Sequence, residues 1–349
     1  MNVIIFFVTI ATLSGCTIWQ DLTPLQGSSS DETGIVSGAT NRLSFQMKEP
    51  ETVERPTVVP LFVPDDFDAF DSVVVVNENG DTLPHYAESS GTRPVVWTRL
   101  PPLADPSTIH VYYGGDATQS TSTVFDDYVA VWLFDGTSVD RFSDVTAERQ
   151  LSKPDGADLE VERIEGPHGD AIRFIPGEND FNTLESNELS GTNFPQENLS
   201  IEFMARLSAL NFDSAKHIFG QGERANNIFM TIDSDGLTRT LLLDADEGGP
   251  RILGENITDE WVSYVVTCGS RGVEKRCQFY QDGIVVGDEP VALDWAPVSQ
   301  IVTIGHERGL DIEYDNFRIR DDELDAKTVD LQFRAETNAL FDAPIDETL

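Results

Sequence analysis

The chain has 349 residues, enough for two domains that each bury a core of their own. Asp and Glu number 61 against 23 Lys and Arg, and the net charge of −38 is spread along the whole chain, which excludes nucleic acid as a partner because its phosphates would be repelled. A surface adapted to salty surroundings accounts for such a charge, and calcium is the ligand it would otherwise suit. In chain order, Val3 to Leu13 is an apolar run too short to span a bilayer and followed by small residues, which gives residues 1–15 the form of a signal peptide. Residues 16–40 are polar and rich in Ser, Gly and Thr, a flexible tether with an end-to-end distance of roughly 27 Å.

The apolar run ends Leu13-Ser14-Gly15-Cys16. This tetrad resembles the lipobox of bacterial lipoproteins, which implies cleavage before Cys16 and a diacylglycerol on its sulfur. Each buried acyl methylene contributes about 0.8 kcal/mol, so two or three chains hold a protein firmly to a membrane. Thr17 follows the cysteine and no Asp signals retention in an inner membrane, so the resemblance implies an outer-membrane lipoprotein of the bacterial cell envelope, facing periplasm or exterior.

Residues 41–118 read as a first β module. Val58 to Val63, Ser72 to Val76, Val95 to Leu100 and Ile109 to Tyr113 are rich in β-branched and aromatic residues and are separated by turn residues such as Asn79-Gly80 and Pro101-Pro102. The succession Val73 to Asn77, Asn79-Gly80-Asp81-Thr82-Leu83-Pro84-His85, Val96-Trp97-Thr98-Arg99-Leu100-Pro101 and Ile109 to Gly115 is similar to the DUF2341 family, a small β module of unknown function found ahead of LamG-like domains. Trp97, Tyr112 and Tyr113 either build its core or form a platform on which a sugar ring stacks; alternation in strands favours the core.

Asp116 to Thr123 reads as a short linker, and residues 124–335 as a second module. Phe125 to Gly136, an apolar stretch around Trp132 ending in an acidic turn, Gly169 to Phe174, Trp261 with the strand after it, Tyr280-Gln281-Asp282-Gly283, and the closing Tyr314-Asp315-Asn316-Phe317-Arg318-Ile319 together resemble the LamG-like family of concanavalin A-like jelly rolls. The fold class that follows is all-β: two β-sandwich modules, the second a jelly roll, with residues 336–349 left as a C-terminal tail. Leu199 to Leu207 alternates, which predicts a strand with one wet side. Phe229 to Ile232 and Arg239 to Leu243 flank Asp233-Ser234-Asp235-Gly236 at hairpin spacing; read as an EF-hand loop, that segment would put Leu242 where a bidentate Glu is needed.

Cys268 ends one strand and Cys277 begins the next with eight residues between them, so they can face each other across a hairpin as a disulfide, favoured in an exported chain. Asp311-Ile312-Glu313-Tyr314-Asp315 places three carboxylates at alternate strand positions roughly 7 Å apart, a spacing that glycoside hydrolysis can use. The resemblance instead gives Asp315 a structural or calcium-linked role and pairs it with Asp135 as a candidate calcium site. No Gly-x-Ser-x-Gly, P-loop or His-Glu-x-x-His motif is present. What the LamG-like resemblance implies as a role is non-catalytic binding of a glycan or a surface protein, with a glycosidase and a purely structural or adhesive envelope component as alternatives.

Overall fold

The computed structural model describes residues 36, 38–48, 55–88, 93–102, 108–115, 123–135, 138–139, 141–146, 149–154, 160–175, 182–186, 189, 194–195, 197–207, 216–221, 229–232, 239–242, 251–254, 259–271, 274–291, 302–306 and 311–349. Residues 1–15, expected as a signal peptide, Cys16, nearly all of the expected tether and most of the expected linker lie outside them. Among the described residues no helix is long and apolar enough to cross a membrane.

The first module holds β1 (Asn41–Gln46), β2 (Thr57–Phe62), β3 (Val73–Asn77), β4 (Thr82–Leu83), β5 (His85–Glu88), β6 (Val95–Leu100) and β7 (Thr108–Tyr113). The second holds β8 (Tyr128–Trp132), β9 (Arg141–Ser143), β10 (Gln150–Ser152), β11 (Glu160–Gly166), β12 (Gly169–Ile175), β13 (Asn182–Ser186), β14 (Leu199–Leu207), β15 (Lys216–Gln221) and β16 (Phe229–Ile232). It continues through β17 (Arg239–Leu242), β18 (Arg251–Gly254), β19 (Val262–Arg271), β20 (Glu274–Gln281), β21 (Ile284–Val291), β22 (Val302–His306) and β23 (Ile312–Arg320). A single described helix, α1 (Ala326–Glu336), and a last strand, β24 (Ile345–Thr348), end the chain.

Among the described residues the molecule is all-β apart from that helix and a single 3-10 turn at Phe70–Ser72. In the first module the sheet β24-β1-β7-β3-β4 faces the sheet β2-β6-β5, and Leu43, Phe45, Val59, Leu61, Val73, Val75, Val96 and Val111 meet between them. Trp97 is fully buried and Tyr112 nearly so, while Tyr113 packs on Phe67, so these aromatics belong to packed interfaces and offer no stacking platform. In the second module, a jelly roll, the sheet β16-β15-β22-β13-β10-β9 faces the sheet β11-β12-β23-β14-β19-β20-β21, with β8 also paired to β23. Trp132, Phe174, Phe203, Tyr264, Phe279 and Phe317 fill the space between. The closing strand meets the opening one as Phe317 opposite Trp132.

Alternation along β23 is interrupted once. Ile312 and Tyr314 enter the core, and so do Phe317 and Ile319, three residues on rather than two. The extra residue is Asn316, with φ of 45°, a left-handed conformation that Asn tolerates better than most side chains. The ladder to β14 shifts register at the same place, between Glu202 and Met204. This bulge lets both halves of the strand point apolar side chains inward and Glu313, Asp315, Arg318 and Arg320 outward.

Two sequence expectations are corrected. The supposed wet side of Leu199 to Leu207 is dry: Ser200, Glu202 and Met204 are buried, because α1 and the first module cover that face. The supposed tail, 336–349, is part of the first module: β24 pairs with β1 from Asn41 opposite Thr348 to Ser44 opposite Ile345, and Leu340 and Phe341 join its core beside Leu331 and Ala335 of α1. The strands of the expected hairpin, β16 and β17, do lie side by side, with β15 paired to β16 and β18 to β17, and the Asp233 to Gly236 turn lies outside the described residues.

Helix α1 was not anticipated. Asp325 caps it, its carboxylate accepting from the Thr328 N–H at 2.9 Å, and Asn338 at φ 56° closes its far end. Leu331 and Ala335 pack into the first module, Val329 packs with Val265 and Tyr280 on the second, Gln332 donates to the Tyr128 hydroxyl and to Glu202, and Glu336 accepts from the buried Arg318. A separate apolar layer joins the modules, in which Val58, Phe62, Val95 and Trp97 meet Phe125, Tyr128, Val131 and Leu133.

Candidate functional site

The outer face of the eight-stranded sheet carries a row of polar residues set by strand register. Glu162 of β11 lies opposite Arg173 of β12, Arg173 opposite Glu313 of β23, and Glu313 opposite Arg206 of β14. Ala205 pairs with Val262, so the next position along the row, beside Arg206, belongs to Trp261. Opposite charges directly across a ladder attract, and here they alternate over four strands before ending on an indole. Glu313 accepts from Arg206 Nε, and the Arg206 guanidinium carbon lies 5.2 Å from the centre of the Trp261 ring. Arg173 forks onto Asp311 at 2.8 and 2.6 Å, and this bonding, with the charges of Asp311, Glu313 and Glu162, holds its guanidinium firmly protonated.

The Trp261 end of the row opens into a cavity of about 730 Å³. Its floor is Met204, Arg206 and Trp261; one wall is the β11–β12 turn, from Ile164 to Pro167. The other wall is the end of α1, Glu336 to Asn338, and the first module contributes Arg93. The cavity therefore exists only where both modules and the helix meet.

Buried bonds fix the two walls. Asp315 Oδ2 accepts from the His168 backbone N–H at 2.9 Å, and a side chain at Gly166 would come within 2.7 Å of that same oxygen, so the turn sits directly on the carboxylate. The His168 ring joins this wall to the other: Nδ1 accepts from Asn316 Nδ2 at 2.7 Å and Nε2 donates to the Glu336 carbonyl at 3.1 Å. The Glu336 carboxylate pairs with Arg318 and accepts from Ser263 Oγ at 3.2 Å. Arg318 also lies 3.2 Å from Glu202, which accepts from Gln332 Nε2 at 3.1 Å. Burial alone would lower the pKa of Arg318, but Glu202 and Glu336 outweigh it and hold the cation charged.

The expected site residues fall apart in space and role. Asp311 is engaged by Arg173, Glu313 by Arg206 and Asp315 by the His168 turn, so the three carboxylates do not share one open surface. Asp135 accepts from the Tyr86 hydroxyl at 2.7 Å. Glu88 lies in the same electrostatic neighbourhood; burial first, then Asp315, Asp135 and Asp170, push its carboxyl well above the usual carboxylate range, against the 3.0 Å bond from Trp97 Nε1. A proton on Glu88 relieves the crowding there. Among the described residues no group of three or more His, Cys, Asp or Glu side chains is placed to hold a metal ion. Cys268 and Cys277 lie directly opposite each other on β19 and β20 and form a disulfide within the core.

No protein-family model matches the sequence, and no curated protein matches it. Among solved structures, the receptor-binding domain of botulinum neurotoxin type G is similar over 60% of this chain and 51% of its own, at 15% identity and a TM-score of 0.46. The receptor-binding domain of botulinum neurotoxin D is similar over 60% and 53%, at 13% identity and a TM-score of 0.48. A Trypanosoma rangeli sialidase in complex with a difluoro-nononic acid is similar over 65% and 41%, at 11% identity and a TM-score of 0.46. The chain spans about half the length of the toxin domains and less of the sialidase, and the likeness is too slight to place a ligand.

Proposed function

We propose that this chain is a lipid-anchored envelope protein, attached through Cys16, that binds a glycan without transforming it in the cavity between its modules. The observation that carries the reading is the half-buried Trp261 on the floor of that cavity, with the fixed Arg206–Glu313 pair beside it. An indole offers an apolar face to the C–H side of a sugar ring, and planar charged groups at its edge suit ring hydroxyls. The separate engagement of Asp311, Glu313 and Asp315 supports binding over hydrolysis. The DUF2341-like and LamG-like assignments of the two modules belong to the same proposal, supported by the quoted motifs and by the pairing of the last strand with the Trp132 strand.

Trp261→Ala tests the site. In a glycan array followed by calorimetry, the variant should lose at least tenfold in affinity for the saccharide that the native protein selects, with its melting temperature nearly unchanged. An array on which the native protein selects nothing, or a variant that binds as well as native, refutes the reading.

A further inference from the structure

We infer that the saccharide taken by this cavity is an acidic one, carrying a single carboxylate that the cavity's two arginines receive; this rests on the glycan reading above. With 61 acidic residues against 23 Lys and Arg, an average stretch of this surface is acidic. The cavity departs from that average by drawing one guanidinium from each module, Arg93 and Arg206.

Neither arginine is consumed by its neighbours. Arg206 is held at Nε by Glu313 and against Trp261 by its carbon, which fixes the plane of the group while its two terminal nitrogens have no hydrogen-bond partner among the described residues. Arg93 has no ion pair among the described residues; it lies 4.9 Å over the Phe62 ring and donates one bond, at 3.4 Å, to the Pro167 carbonyl. Of the carboxylates nearby, Glu313 offsets the charge of Arg206 but takes only its Nε, which leaves the terminal N–H groups to a ligand. Glu336 is satisfied by Arg318 and Ser263, and Glu165 stands exposed at the rim.

Planar N–H donors of this kind match the two oxygens of a carboxylate, whereas a neutral sugar presents hydroxyls singly. The same chain-wide charge of −38 that keeps nucleic acid away also repels a densely sulfated polymer, which leaves a sugar with one acidic group per bound residue as the chemistry that fits.

The test uses the whole exported chain and a panel of sialic, glucuronic and galacturonic acid saccharides, each paired with its own methyl ester, together with neutral saccharides. At least one acid should bind tenfold or more tightly than its ester, and Arg93→Gln and Arg206→Gln should each shrink that ratio severalfold. Arg93 is exposed, so its variant keeps the fold, and a melting curve confirms this for Arg206→Gln. Equal binding of acid and ester, or selection of neutral sugars alone, overturns the inference and leaves the glycan reading standing. Failure of every saccharide in the panel overturns both.

Discussion

Over most of β14 and β23 the two faces of the eight-stranded sheet are both dry, and they are dry for different reasons. The inner face is apolar and packs on the opposing sheet, with Ile201, Phe203, Tyr264, Phe279 and Phe317 in mutual contact. The outer face carries Glu202, Arg318, Arg320, Glu313 and Asp315, and is buried because the first module and α1 lie over it. The inner face gains by leaving water, while the outer face must recover in paired charges and hydrogen bonds what it loses in hydration. The outer face accordingly specifies which surfaces may dock there. Where its cover ends, the same row of charges becomes the floor of an open cavity.

Three measurements sharpen that contrast, and the largest effect is expected on the outer face. Arg318→Ala leaves Glu202 and Glu336 buried without their cation and should lower unfolding free energy by about 3–5 kcal/mol in denaturant titration. Replacing Glu202, Arg318 and Glu336 together by apolar residues of similar volume should restore most of that loss; a triple variant as unstable as the single one would show that the charges contribute more than their mutual compensation. On the inner face, Cys268→Ala with Cys277→Ala removes a covalent staple rather than a charge, and should lower stability by about 2.5 kcal/mol in the chain-entropy account.

The third measurement is a pH profile. Glu88 binds its proton more tightly folded than unfolded, so stability should fall as pH rises from the ordinary carboxylate range through the folded value of Glu88. Glu88→Gln mimics the protonated form, keeps an acceptor for Trp97 Nε1, and should flatten that part of the curve of melting temperature against pH. An unchanged slope would mean that Glu88 is ionised and neutralised by another group.

Much of the inner face was legible from the chain alone. Val95 to Leu100 and Tyr314 to Ile319 form the strands expected, the latter pairs with the Trp132 strand, and Cys268 meets Cys277. Even the bulge left a trace, since Tyr314 and Phe317 are three residues apart in a strand whose other apolar residues are two apart. The site was far less legible. Trp261 stood out only as the opening of a strand, and Arg206 only as a polar position on one; their adjacency follows from the register of β14 against β19, which local sequence does not state. Arg93 and Glu336 come from segments more than two hundred residues apart, and no local pattern marks them as neighbours. The helix went unnoticed although Asp325 and Thr328 make a capping pair, and the assumed tail concealed a strand because Ile345 to Thr348 is too short and polar to announce itself.

Strand positions, the all-β class and the cysteine pair were determined by sequence because each depends on alternation and spacing within a few residues, where a side chain's direction follows from its place in the chain. Which polar strand face is covered, where the chain's end returns, and that Arg93, Arg206 and Trp261 share one cavity were decided only by tertiary structure. Those facts depend on how two sandwiches and a helix dock, and docking selects among polar surfaces that look equally exposed when read one strand at a time.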